Sequence, residues 1–406
     1  MTSADRTSFL RWREIPAGVW TLGLVSMLMD ISSEMIHALL PLYLVGVLHA
    51  STLTVGVIEG VAEATASITK IFSGALSDRL GKRKLLAAIG YGLAAATKPV
   101  FPLAPNIGWL IAARFVDRVG KGIRGAPRDA LVADLSPPAL RGASFGLRQA
   151  LDTVGAFLGP LLAIVFMMLT GDNFTLVFWI AVVPAILSAA LILVGVRDPA
   201  PRAETAPVRA PLSTRELGRL GRRFWLVVVV ATLFALARFS EAFLLLRGQS
   251  VGLPIALAPA VMVVMNLVYS LAAWPAGVLS DRIGRSGVLA AGFALLVVAD
   301  LVLGLGTGLA ALAIGVALWG LHMGLTQGIL ASLVSDTAPD DLRGTAFGAF
   351  NLVTGLATLA ASILAGGLWD IAGPRGTFLA GAAFSALALL SLPAIRSTSK
   401  GPIAGR

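Results

Sequence analysis

Residues 74–84 read GALSDRLGKRK and residues 277–285 read GVLSDRIGR, each closing a long apolar run. The two copies lie half a chain length apart in 406 residues. The repeat extends outward at nearly the same offset. LRGASFG at 140–146 returns as LRGTAFG at 342–348, and Asp134 returns as Asp336. Order and spacing persist together, which points to duplication of half a chain. Both halves begin on the same side of a membrane, so the two should be related by an axis along the membrane normal, as in parallel-repeat transport proteins.

Composition sets the medium. Hydrophobic residues make up 57% of the chain and charged residues 13%, with a mean hydropathy of +0.85. A soluble domain carries about 25% charged residues. The chain therefore reads as an all-α integral membrane protein. Cysteine is absent, which excludes disulfides and thiolate metal sites, and with three histidines any metal site would need carboxylates.

The net charge of +10 is explained by where it falls. Basic residues gather at Arg6, Arg11 and Arg13, within 79–84 and 197–223, at Arg282 and Arg285, and within 396–406, all flanking apolar segments. Connections near 49–54, 104–108 and 304–308 carry no lysine or arginine. The positive-inside rule makes the basic side cytoplasmic, with both termini there, in an inner (plasma) membrane. No aromatic-interleaved basic patch remains for nucleic acid. The polar start 1–14 runs into an apolar stretch without a small-residue cleavage site, so the first hydrophobic segment reads as a retained span.

A span takes about 20 mostly apolar residues. That length predicts twelve transmembrane helices, near 17–47, 54–76, 85–104, 108–131, 143–168, 174–195, 224–246, 254–278, 288–306, 309–333, 345–368 and 376–394. The only long polar connection, 197–223, separates six spans from six. The expected organisation is an amino-terminal six-helix bundle over 1–196, a cytoplasmic linker over 197–223, and a pseudo-symmetric carboxy-terminal six-helix bundle over 224–406.

The 74–84 segment resembles the loop motif between spans two and three of the major facilitator superfamily, a family of secondary transporters, and the resemblance covers nearly the whole chain. It implies a cytoplasmic latch in which Asp78, Arg79 and Arg83 take part, with Asp281 and Arg282 in a second copy that loses its basic pair after Arg285. Gly74 is expected to allow close helix approach and Gly81 to permit the turn. RFVDRVG at 114–120 resembles the family's span-four motif, in which an arginine is associated with proton coupling, here Arg114. GAFLGP at 155–160, carrying Gly155, Gly159 and Pro160, is similar to the motif associated with drug/proton antiporters.

Charges at bilayer depth are costly and mark function. Asp30, Glu34 and His37 recur at helical spacing and share one face of span one. Span two carries Glu59, Glu63 and Lys70. Span four answers with Arg114, Asp117, Arg118, Lys121, Arg124 and Arg128 along a narrow stripe, and Asp152 lies on span five. At the repeat offset Arg114, Arg118 and Arg128 face Val316, Gly320 and Leu330. The ionic coupling machinery is therefore expected in the first half. The second half offers Arg238, Glu241, Asn266, Tyr269, Trp319, His322, Gln327 and Asn351 as cavity contacts.

The expected function is proton-coupled secondary transport of a small molecule by alternating access, in the export direction, by a monomer in a lipid bilayer. Protons are the expected coupling ion, with no bound cofactor. Metal-ion or siderophore efflux stands as an alternative, using Asp30, Glu34 and His37 as ligands in the metal case. A membrane-embedded enzyme would need a nucleophile or metal motif, and neither H-E-x-x-H nor a P-loop is present. A transport-like sensor would need an output domain or a long tail.

Overall fold

A computed structural model describes residues 14–196, 214–339 and 342–397. The polar termini, most of the expected linker, and the side chains of Asp78, Asp281 and Arg282 lie outside the described residues. Within them the fold is all-helical. The long helices are α1 (Ala17–Gly46), α2 (Thr52–Leu80), α3 (Arg83–Thr97), α4 (Ile107–Leu135), α5 (Arg141–Thr170) and α6 (Phe174–Gly195). They continue as α7 (Arg222–Ala237), α8 (Ala242–Ser250), α9 (Ala260–Ile283), α10 (Arg285–Leu305), α11 (Gly308–Thr337) and α12 (Arg343–Ser397).

Among the described residues, 9 helical stretches are long and apolar enough to cross a membrane. Four of them are composite: one adds the short helix Val100–Leu103 to α3, one adds the 3-10 turn Ile255–Leu257 to α9, one joins α7 to α8 across a break, and the last is α12, interrupted at Gly373 by a positive φ of 67°. Helices α2 and α4 are each 29 residues long but carry charges along their length. Their interiors explain how that is tolerated.

The helices present apolar side chains outward and enclose a buried set of charges within an otherwise apolar interior. Val194 and Ile371 are each 86% exposed and Trp274 is 78% exposed, surfaces suited to acyl chains rather than water. On α4, Arg118 is 1% exposed while Phe115 is 45% exposed. The stripe read from the sequence is thus the buried face of α4, with the exceptions of Lys121, which is exposed, and Arg128, which is half-buried.

The chain forms two compact units, Met1–Leu40 with Thr65–Ala210, and Pro41–Ala64 with Pro211–Arg406. The first is built on Val19, Leu22, Val25, Tyr91, Leu131 and Ile192. In it α5 lies against α1 through Gly155 and Gly159. A Cβ on Gly155 would sit 2.7 Å from the Met27 carbonyl, and one on Gly159 would sit 2.6 Å from Glu34 Cβ. The motif therefore packs α5 onto the acidic face of α1. Gly159→Ala is expected to lower thermal stability by about 1–3 kcal/mol, the usual cost of overpacking, measured by the unfolding midpoint in mild detergent.

The second unit packs Phe224, Val227, Val334, Leu342 and Ala346 together. It also holds the start of α2, whose first amides are capped by Asp370. Thr52 N and Leu53 N each donate to its carboxylate at 3.0 Å, and Thr52 Oγ1 donates at 2.5 Å. An acid at a helix N-terminus satisfies otherwise orphaned donors. Residues 238–241, expected inside a continuous span, instead interrupt the helix between α7 and α8. No proline or glycine causes this. Ser240 N donates to Ser362 Oγ at 3.2 Å, and Ser240 Oγ accepts from Ala242 N at 3.2 Å, so side chains replace the lost helical bonds.

Candidate functional site

The first unit gathers the charges of α1, α3, α4 and α5 into one buried network. At its centre is Asp117, 2% exposed. Lys98 Nζ donates to Asp117 Oδ1 and to Ser33 Oγ, both at 2.9 Å, and Arg118 Nε stands 3.6 Å from Asp117 Oδ2. One carboxylate thus lies between two buried cations, on the same helix face as Arg114. Nothing in the local sequence marks Lys98. It sits at the end of an apolar run before Pro99, where a lone lysine reads as a loop residue.

A second layer runs toward the Leu135 end of α4. Arg124 lies 4.8 Å over the Tyr91 ring and 4.0 Å from Asp30 Oδ1. Such a cation over an aromatic face is favourable where desolvated. Tyr91 Oη and Ser26 Oγ are 2.8 Å apart, and Arg128 donates to that same Ser26 oxygen at 3.1 Å. Arg128 is also 3.7 Å from Asp152, which Arg148 engages at 2.5 Å. Asp129 contacts both arginines, at 3.2 and 3.8 Å. The acids and arginines therefore alternate from α1 across α4 to α5.

The α1 acids differ from the α4 charges in access. The Asp30 side chain is 25% exposed and that of Glu34 is 18% exposed. Glu34 Oε2 lies 3.4 Å from His37 Nδ1, whereas Asp30 turns to Arg124. The three do not converge as a ligand set, and among the described residues no three histidine, aspartate or glutamate side chains are grouped to hold a metal ion.

Other expected site residues fall elsewhere. Glu59 is buried and Glu63 half-buried, both in the second unit, and Lys70 is exposed. In the second unit Trp319 and His322 are buried with ring centroids 5.3 Å apart, and Phe239 is 5.4 Å from Trp319. Arg238, Glu241, Asn266, Tyr269, Gln327 and Asn351 are half-buried. The second half also holds a buried acid outside the expected site residues. Asp300 on α10 is fully buried. It is the only acidic, lysine or arginine residue between Arg285 and Asp336, a signal already present in the sequence.

The duplicated loop also gains a partner. Arg83 pairs with Asp134, and in the second copy Arg285, which aligns with Lys82, pairs with Asp336. Each pair ties the start of one helix to the end of the next, α3 to α4 and α10 to α11. Gly81 and Gly284 both take positive φ, 64° and 82°, as the turn requires. Close approach at the motif's first glycine is not required, since a Cβ on Gly74 would meet Ala126 Cβ at 3.4 Å, and one on Gly277 would meet nothing within 4 Å. The first pair is 16% and 11% exposed and the second 39% and 53%. Arg285→Ala should therefore change stability by under about 1 kcal/mol, and Arg83→Ala by more, compared through unfolding midpoints at two salt concentrations.

A multi-pass helical membrane protein with duplicated halves and an ionic interior belongs to the class of secondary transporters. The chain is a member of the Major Facilitator Superfamily, whose family description matches residues 22–361 and 242–405. It is 34% identical over 391 residues to an uncharacterised MFS-type transporter of Methanocaldococcus jannaschii, covering 93% of this chain and 94% of that protein. It is 25% identical over 199 residues to the quinolone resistance protein NorA of Staphylococcus aureus, covering 48% and 50%. The solved structure of a point mutant of the nucleoside transporter NupG shares the fold with a TM-score of 0.79 at 13% identity, covering 93% of this chain and 99% of that one. The protein is a membrane transporter, not an enzyme.

Proposed function

We propose that this transporter exports a small molecule against its gradient by exchange with protons. It does so through twelve spans in two six-helix halves, with both termini cytoplasmic in the plasma membrane. The observation that carries this reading is the partly open acid pair Asp30 and Glu34 beside the sealed cations of α4. A carboxylate that can reach water, next to fixed positive charge, can change protonation as access alternates. The α4 arginines hold the surrounding charge constant while this happens.

Two further points support export. The Gly155 and Gly159 contacts bring the antiporter-like motif directly against Asp30 and Glu34, and a partial relative is a quinolone resistance protein. The substrate class that fits the acidic α1 face is an organic cation or zwitterion. Purified protein in sealed vesicles, offered a quinolone, a quaternary-ammonium dye and an organic carboxylate with and without an imposed pH gradient, tests this. The expected outcome is pH-driven accumulation of the quinolone or the dye. Accumulation of the carboxylate alone would reverse the assigned substrate charge.

A further inference from the structure

The α7–α8 break leaves a carboxyl group behind it that the network above does not use. Asp300 is 0% exposed and neither carboxyl oxygen has a hydrogen-bond partner among the described residues. Its surroundings are tight and apolar. A Cβ placed on Gly381 of α12 would lie 2.5 Å from Asp300 Oδ2 and 3.0 Å from Phe239 Cε1. Phe239, at the break, packs against Phe243, Trp319 and Phe378 with ring centroids 5.4 to 5.6 Å apart. The carboxyl and Phe239, the aromatic residue of the non-helical segment, therefore face the same glycine of α12.

Among the described residues no charge partner hydrogen-bonds Asp300 from the elements packed around it. The described ionisable groups there are Tyr269 on α9, His322 and Asp336 on α11, and Arg343, Asp370 and Arg375 on α12, with Arg238 and Glu241 at the break. None makes a hydrogen bond with the Asp300 oxygens. Asp336 is held by Arg285, Asp370 caps α2, and His322 lies edge-on against Trp319 and Phe234. An ionised carboxylate without donors is the least tolerated form in such a place. A metal cation would need a shell of several oxygens, whereas a proton neutralises the group with no shell at all. Discontinuous helices are where transporters of this general architecture place coupling-ion sites.

We propose that Asp300 is a proton-binding site of the second half, and that loss of its proton opens the break at 238–241. The site rests on Asp300's own surroundings, and its role in transport rests on the proton-coupled reading above.

The test uses the full chain in liposomes with protons as the only ligand. Infrared difference spectra at neutral pH should show a protonated carboxyl band that shifts in heavy water, is missing from Asp300→Asn, and persists in Glu34→Gln. A spectrum unchanged by Asp300→Asn overturns the site. The chain has no cysteine, so Ser240→Cys gives a single thiol at the break. Its labelling should rise several-fold with pH, beyond the change of a free thiol, and lose that excess when Asp300→Asn is added. An excess that survives in the double variant overturns the link to the break. Asp300→Asn removes a charge without changing shape, and circular dichroism with the unfolding midpoint confirms that it folds. If the band behaves as expected but no pH gradient drives flux, the coupled reading fails and the site stands. If flux is pH-driven and the spectrum ignores Asp300, the reading stands and the site fails.

Discussion

Asp117→Leu should be among the most destabilising single changes in the protein, costing about 3–5 kcal/mol, because it strips the shared anion from buried cations. Lys98 is 1% exposed and loses its 2.9 Å partner, and Arg118 loses its acid at 3.6 Å. Burial keeps water from substituting. The cost should be reversible by the right second change. Lys98→Met added to Asp117→Leu removes one orphaned charge and supplies apolar volume, and replacing a buried pair with well-packed apolar groups is often neutral. The unfolding midpoint in mild detergent should fall sharply for each single variant and recover in large part for the pair. A double variant no better than the Asp117 single would show that the network, rather than the pair, carries the energy.

Glu34→Gln should remove pH-driven accumulation while leaving a folded protein that still exchanges substrate down its gradient. The substitution conserves shape against the tight Gly159 contact and keeps a polar group beside His37. It removes the capacity to gain and lose a charge. One charge moved through 100 mV supplies about 2.3 kcal/mol, which sustains roughly a 50-fold substrate gradient. The accumulation ratio should therefore drop from tens-fold to near unity, with equilibrium counterflow retained. If counterflow vanishes together with accumulation, Glu34 belongs to substrate binding instead.

The sequence and the structure agree where one helix carries the information. The stripe on α4 was readable because arginines recur at three- and four-residue steps, and that face is buried while Phe115 looks outward. The duplication is readable because the loop motif and Asp134 have counterparts in the second copy and Asp336, although the pairing of each loop with its aspartate emerges only in three dimensions. Information spread across helices was hidden. Lys98 gains meaning only when α3 lies along α4 and brings it to Asp117. The break after Ala237 has no local breaker and depends on Ser362, more than a hundred residues away in sequence. Asp300 is visible in the sequence as a lone acid in an apolar run, but only the packing of α10 against α12 shows that its carboxyl has no hydrogen-bond partner among the described residues.

In the proposed exchange, substrate and proton move in opposite directions through one protein with an α1 acid as carrier. Vesicles loaded with a pH-sensitive dye and given a quinolone gradient in place of a pH gradient measure this directly. Substrate flux in one direction should drive a proton flux in the other, and Glu34→Gln should move quinolone without moving protons. Quinolone flux through the unaltered protein with no change in internal pH would contradict the account.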